Sequence, residues 1–246
     1  ERNLNTGRGE KIAFIDSNGQ YTFNQVAAKA SQFSNAIQKL GLKKESRLIL
    51  VMLDSIEFVS CFLGAIKAGV IPVPLNTRLT PRDYSYIISD TNAVGIVVSD
   101  SLIETVLEKA ETPEIVLVDG TSDEYQMLLP LISESPSTFV SANTKPDDIC
   151  FWLYTSGTTG SPKGVVHLHS HLLPTADLYA IPYWCVFFRG LCQCRKKSAQ
   201  FCRTSGEDPE AEFCKTSRNL TDAQGDEGDF LFVVEDGKLE CTKPIE

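Results

Sequence analysis

The chain has 246 residues, 42% apolar and 22% charged, with 16 Gly and 12 Pro; that balance is globular and excludes disorder, collagen and coiled coil. The 23 Lys and Arg stand against 32 Asp and Glu, a formal charge of -9, so general attraction to nucleic acid or anionic lipid is disfavoured and any phosphate site must be local. No run approaches the roughly 20 apolar residues that span a bilayer, and residues 1–10 carry no basic segment followed by an apolar one, so a soluble cytoplasmic protein without a membrane span or nucleic-acid partner is expected.

Taken in chain order, the elements alternate between strand and helix. Lys11 to Ile15 reads as a short strand, and Thr22-Phe23-Asn24-Gln25 reads as a capping box. Val26, Ala30, Phe33, Ile37 and Leu40 then make a helical stripe that Gly41 stops. Leu48 to Leu53 is a buried strand, and Asp54 with Glu57 begins a second helix with Phe58, Phe62, Ala65 and Ile66 inward and Gly69 at its close. Val70 to Val73 is a strand; Thr80-Pro81 supplies N-cap and first position to a third helix through Ile88. Gly95 to Val98 is a strand, Ser101 and Glu104 cap a fourth helix, and Ile115 to Val118 is a strand again. Such alternation predicts an α/β fold with a parallel sheet flanked by helices.

Ile149 to Tyr154 is an apolar, aromatic and β-branched run suited to a buried strand. It leads into Thr155-Ser156-Gly157-Thr158-Thr159-Gly160-Ser161-Pro162-Lys163-Gly164, which holds three glycines, five hydroxyls and one lysine. Val165 to Leu168 reads as another strand, so this loop joins two strands at a sheet edge. Glycines permit close backbone approach, hydroxyls and N–H groups donate to phosphate oxygens, and lysine adds a mobile positive charge. These are the properties of a polyphosphate cradle. It is not a Walker A loop, because Gly164 follows Lys163 where that motif requires Ser or Thr.

The string T-S-G-T-T-G-S-P-K-G with the following H-x-H resembles the phosphate-loop signature of the AMP-forming adenylating enzymes: acyl-CoA synthetases, luciferases and peptide-synthetase adenylation domains. Within them the upstream text is most similar to benzoate-type aryl-CoA ligases. Lys11 to Asp16, Tyr21-Thr22, Met52 to Phe58, Phe62 to Thr77 and Phe151 to Tyr154 carry that resemblance, which covers residues 5–181. It implies the N-terminal subdomain of the adenylating-enzyme fold, with ATP, Mg²⁺, coenzyme A and an aromatic carboxylic acid as cofactors and substrate. Carried over by position, it implies that Thr155, Ser156, Gly157, Thr158, Thr159, Gly160 and Lys163 hold the ATP phosphates. The acid's carboxylate would attack the α-phosphorus and release pyrophosphate.

Beyond Ile181 the text departs from the family. No Y-G-x-T-E-like, T-G-D or lid-lysine segment occurs, so the catalytic residues stay unknown and this chain by itself is expected to be inactive as a ligase. A non-enzymatic truncated or fused product, including a nucleotide-binding regulatory protein, is the competing reading. Cys61 and Cys150 are the only cysteines before that point, whereas Cys185, Cys192, Cys194, Cys202, Cys214 and Cys241 crowd the rest. No C-x-x-C pair is present, so irregular thiols are expected there rather than zinc. Arg195-Lys196-Lys197 reads as a solvated loop, and Asn219-Leu220-Thr221 as a sequon without consequence. Three segments are therefore expected: a partial AMP-binding domain at 5–181, an irregular Cys-rich stretch at 182–224, and a β-hairpin tail at 225–246 with its turn at Asp236-Gly237. Residues 225–241 resemble one hairpin of the cyclic-nucleotide-binding β-barrel but lack its phosphate cassette.

His167, His169 and His171 are the only histidines. Alternate strand positions share a face, so a three-nitrogen metal site is conceivable. The structural reading is preferred, with the strand ending near His169 and His171 starting a helix, and no metal ligands are assigned.

Overall fold

The computed structural model describes residues 2–155, 161–175, 231–235 and 238–242. Helix α1 (Arg2–Asn5) precedes β1 (Ile12–Asp16), which pairs antiparallel with β2 (Gly19–Thr22). The sequence pattern did not anticipate β2. Its four residues, Gly-Gln-Tyr-Thr, carry no apolar alternation, and the hairpin is set by Asp16, whose Oδ1 accepts from the N–H groups of Asn18 and Gly19 at 2.8 and 3.0 Å.

Helix α2 (Phe23–Lys39) begins with the expected capping box, Gln25 N–H donating to Thr22 Oγ1 and Thr22 N–H donating to Gln25 Oε1 at 2.8 Å. Strand β3 (Arg47–Val51) follows. Helix α3 (Ile56–Lys67) is capped by Ser55 rather than Asp54, the Phe58 N–H donating to Ser55 Oγ. A second acceptor comes from outside the segment: Asp16 Oδ2 takes the Ile56 N–H at 3.0 Å. Local capping by Ser55 and a long-range acceptor together satisfy the first N–H groups of this helix.

Strand β4 (Ile71–Pro74) leads to α4 (Pro81–Thr91), capped by Thr80 with Asp83 completing the box, then to β5 (Gly95–Ser99). The expected cap at Ser101 and Glu104 is not formed. Asp100–Leu102 is a 3₁₀ turn running into α5 (Ile103–Leu107), and no side chain caps either. Strand β6 (Ile115–Asp119) matches its expected place, followed by an unanticipated pair, β7 (Gln126–Met127) and α6 (Leu128–Ser133). Two residues are too few to show a strand period, and Pro130 disguises a helix that tolerates it in its first turn.

Strands β3 to β7 form one parallel sheet in the order β4-β3-β5-β6-β7. Both faces of β3, β5 and β6 are covered, so the middles of these strands are continuously apolar. Leu48, Leu50, Val97 and Leu117 pack with Phe33 and Ile37 of α2, Cys61 and Ala65 of α3, and Leu128 and Leu131 of α6. Ile49, Val51, Ile96, Val98 and Val118 pack on the other side with Tyr84 and Ile87 of α4 and Val106 of α5. Helices α2 and α3 approach closely at Gly64, where a Cβ would stand 2.5 Å from the Ala30 carbonyl oxygen. Ser34 Oγ lies buried at that crossing, donating to the carbonyls of Ala30 and Gly64 at 2.9 and 2.8 Å.

Strand β8 (Ile149–Thr155) and strand β9 (Lys163–Leu168) pair antiparallel as a separate two-stranded sheet. Strand β8 lies alongside β4 without joining its ladder. The expectation of a buried strand is corrected here: only Cys150 of β8 is buried, because among the described residues no second layer covers its outer face. A 3₁₀ turn (His169–His171) and α7 (Leu172–Thr175) follow, so the strand ends near His169 as expected, while the helical turn begins at His169, two residues before the expected His171. Strands β10 (Leu231–Glu235) and β11 (Lys238–Thr242) form a two-stranded sheet of their own. Cys185, Cys192, Cys194, Cys202 and Cys214, the basic triplet and the sequon lie outside the described residues. No helix among the described residues is long and apolar enough to cross a membrane.

Candidate phosphate-binding site

The glycine- and hydroxyl-rich segment leaves the sheet edge at Thr155 and returns at Lys163, which are cross-strand partners at the mouth of the β8–β9 hairpin. Both are exposed, and Thr155 Oγ1 lies 3.5 Å from the Lys163 carbonyl oxygen. The structure therefore brings together the first and last of the residues implied to hold phosphate. Ser156, Gly157, Thr158, Thr159 and Gly160 lie outside the described residues.

One step inside the mouth, Tyr154 faces Gly164. A Cβ on that glycine would stand 3.2 Å from Tyr154 Cζ, so the missing side chain makes room for the ring. The Tyr154 hydroxyl donates to Asp90 Oδ2 in the last turn of α4. Burial, and then this carboxylate, push the phenol well above its ordinary pKa, so it stays a donor throughout the physiological range. Two residues earlier on the same face, Trp152 lies under the Arg47 guanidinium, 5.9 Å from its ring centre. Arg47 in turn donates to the Thr91 and Asn92 carbonyls at the end of α4.

The other face of β8 is aromatic. Phe151 meets Phe62 of α3 edge-on at 5.5 Å and stacks on His167 at 4.6 Å, with the rings 4° from parallel. His171 Nδ1 accepts the Leu168 N–H at 3.2 Å. His169 sits where burial lowers its pKa, an effect that Asp148 opposes and Lys44 reinforces. Each histidine is thus engaged in packing or in closing the turn after β9. Among the described residues no group of three His, Cys, Asp or Glu is arranged to hold a metal ion.

The carboxyl ends of the parallel strands, where α/β sheets often bind ligands, are acidic in this molecule. Asp119 closes β6, and burial with the charges of Glu57 and Asp100 raises its pKa to about 6. Asp119 thus adds a carboxyl, not a phosphate donor, to that edge. Cys61 is fully buried and its thiol is pushed well up, while burial raises Cys150 to about 11, so neither is a nucleophile at neutral pH. Sequence reasoning missed Asp90 and Arg47. Their contacts with Tyr154 and Trp152 join positions far apart in the chain, and nothing local marks them.

A parallel α/β layer followed by a hydroxyl- and glycine-rich hairpin is the front of an adenylate-forming fold. The chain belongs to the family of AMP-binding enzymes, whose pattern matches residues 1–189. Over 185 residues it is 44% identical to a benzoate–CoA ligase of Thauera aromatica, covering 74% of this chain and 35% of that protein. A 4-hydroxybenzoate–CoA/benzoate–CoA ligase of Rhodopseudomonas palustris is 36% identical over 174 residues, covering 69% of this chain and 32% of that protein. Among solved structures, the anthranilate CoA ligase AuaEII in complex with anthranoyl-AMP superposes with a TM-score of 0.69 at 36% identity, covering 74% of this chain and 36% of the other. The chain spans about a third of the length of the curated relatives it matches.

Proposed function

We propose that residues 5–181 form the ATP-binding N-terminal portion of an AMP-forming carboxylic acid–CoA ligase that acts on an aromatic acid such as benzoate. One observation carries this reading: Thr155 and Lys163 stand opposite each other, both exposed, at a hairpin mouth in a chain 44% identical to a benzoate–CoA ligase. A hydroxyl and an ammonium fit phosphate oxygens, whereas an ammonium cannot ligate a cation. Mg²⁺ would therefore not be held by Lys163 and would arrive with the nucleotide.

Ser156, Gly157, Thr158, Thr159 and Gly160 supply further hydroxyl and N–H donors along the same segment. Bound as Mg-ATP, the nucleotide provides the adenylyl group that activates the acid for transfer to coenzyme A. For its part the chain lowers the repulsion between a carboxylate and a polyanion. Lys163 neutralises charge that shifts toward the departing pyrophosphate, and the glycines let backbone N–H groups approach it. On this reading the protein works in the cytoplasm.

Titration of the full chain with Mg-ATP in a calorimeter tests the reading. Saturable 1:1 binding that competes with inorganic pyrophosphate supports it. Absence of heat at millimolar nucleotide, from a chain that melts cooperatively, removes it.

A further inference from the structure

We infer that Tyr154 and Asp90 are a positioning pair that locks the mouth of the β8–β9 hairpin to the end of α4 and so sets the orientation of Thr155 and Lys163. The inference rests on the reading of that mouth as a phosphate site.

Strands β8 and β9 share no ladder with the parallel sheet, so backbone hydrogen bonds to that sheet do not place them. Side chains must do so. Tyr154 is adjacent to Thr155 in sequence and opposite Gly164, the neighbour of Lys163, so any movement of its ring moves both sides of the mouth. Its hydroxyl donates to Asp90 Oδ2 across 64 residues of chain.

Asp90 is poorly placed for the helix that bears it. A carboxylate in the last turn faces the negative end of the helix dipole. The bond to Tyr154 gives that charge a partner. Helix α4 is itself a fixed post: its first turn is closed by the Thr80–Asp83 box, and the buried Tyr84 ring sends its hydroxyl to the Asn76 carbonyl at 2.8 Å.

Two further contacts support the same joint. Trp152, on the same face as Tyr154, packs under Arg47, which donates to the Thr91 and Asn92 carbonyls next to Asp90. Gly164 lets the ring approach its backbone, since a methyl there would stand 3.3 Å from the Tyr154 oxygen. A methyl at that position would therefore press on the ring whose hydroxyl Asp90 holds.

The test uses the full chain with Tyr154→Phe, Asp90→Ala, Asp90→Asn and Gly164→Ala. Residue-resolved amide exchange is read at Thr155, Lys163 and Gly164, and Mg-ATP affinity by calorimetry. Loss of a hydrogen bond to a charged acceptor is expected to speed exchange at these amides about tenfold in Tyr154→Phe and Asp90→Ala. Mg-ATP affinity should fall several-fold in both and in Gly164→Ala, while Asp90→Asn, which keeps a carbonyl acceptor without the charge, restores exchange and affinity most of the way from the Asp90→Ala values toward wild type. Unchanged exchange in both Tyr154→Phe and Asp90→Ala overturns the pair, as does failure of Asp90→Asn to rescue. Faster exchange without nucleotide binding by the unmodified chain overturns the phosphate reading, and with it the pair's part in placing phosphate donors.

Discussion

Lys44, in the turn before β3, reaches Asp148, the residue preceding β8: its Nζ lies 2.8 Å from Asp148 Oδ2 and also donates to the Asn143 carbonyl at 3.1 Å. This ion pair pins the start of the hairpin strand to the parallel layer. Because Lys44 holds the Asp148 carboxyl below its usual range, that contribution is full above the ordinary carboxylate pKa and fades as pH falls through the lowered value. Lys44 is raised by the same contact, so the contribution fades again above the ordinary lysine pKa. Lys44→Met should speed amide exchange at Lys145 and His169 while moving the melting temperature little, since the pair is exposed. Unaltered exchange at both amides would show that the strand is held elsewhere.

Gly64→Ala should be severe. The added methyl would meet the Ala30 carbonyl 2.5 Å away and force α2 from α3, also disturbing the Ser34 bond to Gly64. A loss of about 2 to 3 kcal/mol is expected from overpacking of this kind, read as a lowered urea midpoint at constant slope.

Asp119→Asn should raise stability at neutral pH. The folded-state pKa of Asp119, about 6, lies above the ordinary 3.8, so the native state holds a proton that the unfolded chain has released. Stability therefore declines as pH rises from about 4 to about 6 and then levels off. Asparagine removes that decline, a gain on the order of 1 kcal/mol after solvent screening of a half-buried carboxylate. The gain should vanish below about pH 4, where both forms are neutral. Denaturant titrations of the two proteins at pH 4 and pH 7.5 check the sign; a difference that is the same at both pH values would refute it.

Lys163→Ala should weaken Mg-ATP binding by roughly tenfold to a hundredfold, the worth of one charge-assisted hydrogen bond. Folding stability should change by less than about 0.5 kcal/mol, because the side chain is exposed. Equal affinity in calorimetry would take Lys163 out of the phosphate site.

The 246-residue chain should release no pyrophosphate at a ligase rate when given Mg-ATP and benzoate. Its sequence carries no Y-G-x-T-E-like, T-G-D or lid-lysine segment. Each missing electrostatic donor commonly costs about 10² to 10³ in rate, and such losses multiply. A chimera in which a complete aryl-CoA ligase continuation replaces the residues after Ile181 should turn over. Acid-dependent turnover by the unmodified chain would refute the expectation.

Local chemistry settled much of this molecule. Thr22 with Gln25 and Thr80 with Pro81 marked two helix starts correctly, because a capping box is formed by residues within one turn. Strands β3, β5 and β6 were legible as continuous apolar runs, since a sheet covered on both faces needs no alternation. The order of residues from Thr155 to Gly164 is likewise local, and its hydroxyls, glycines and lysine are the groups on which the proposed phosphate site rests. What the tertiary structure decided depends on partners distant in the chain. Asp16 takes the Ile56 N–H at the start of α3, and the separate pairing of β8 with β9 left a strand that reads as buried half in solvent. Tyr154 met Asp90, and Trp152 met Arg47, across intervals that no local pattern spans. Sequence periodicity reports which side of an element is apolar, whereas the identity of a long-range partner is fixed only when the packed layers bring the two groups within hydrogen-bonding distance.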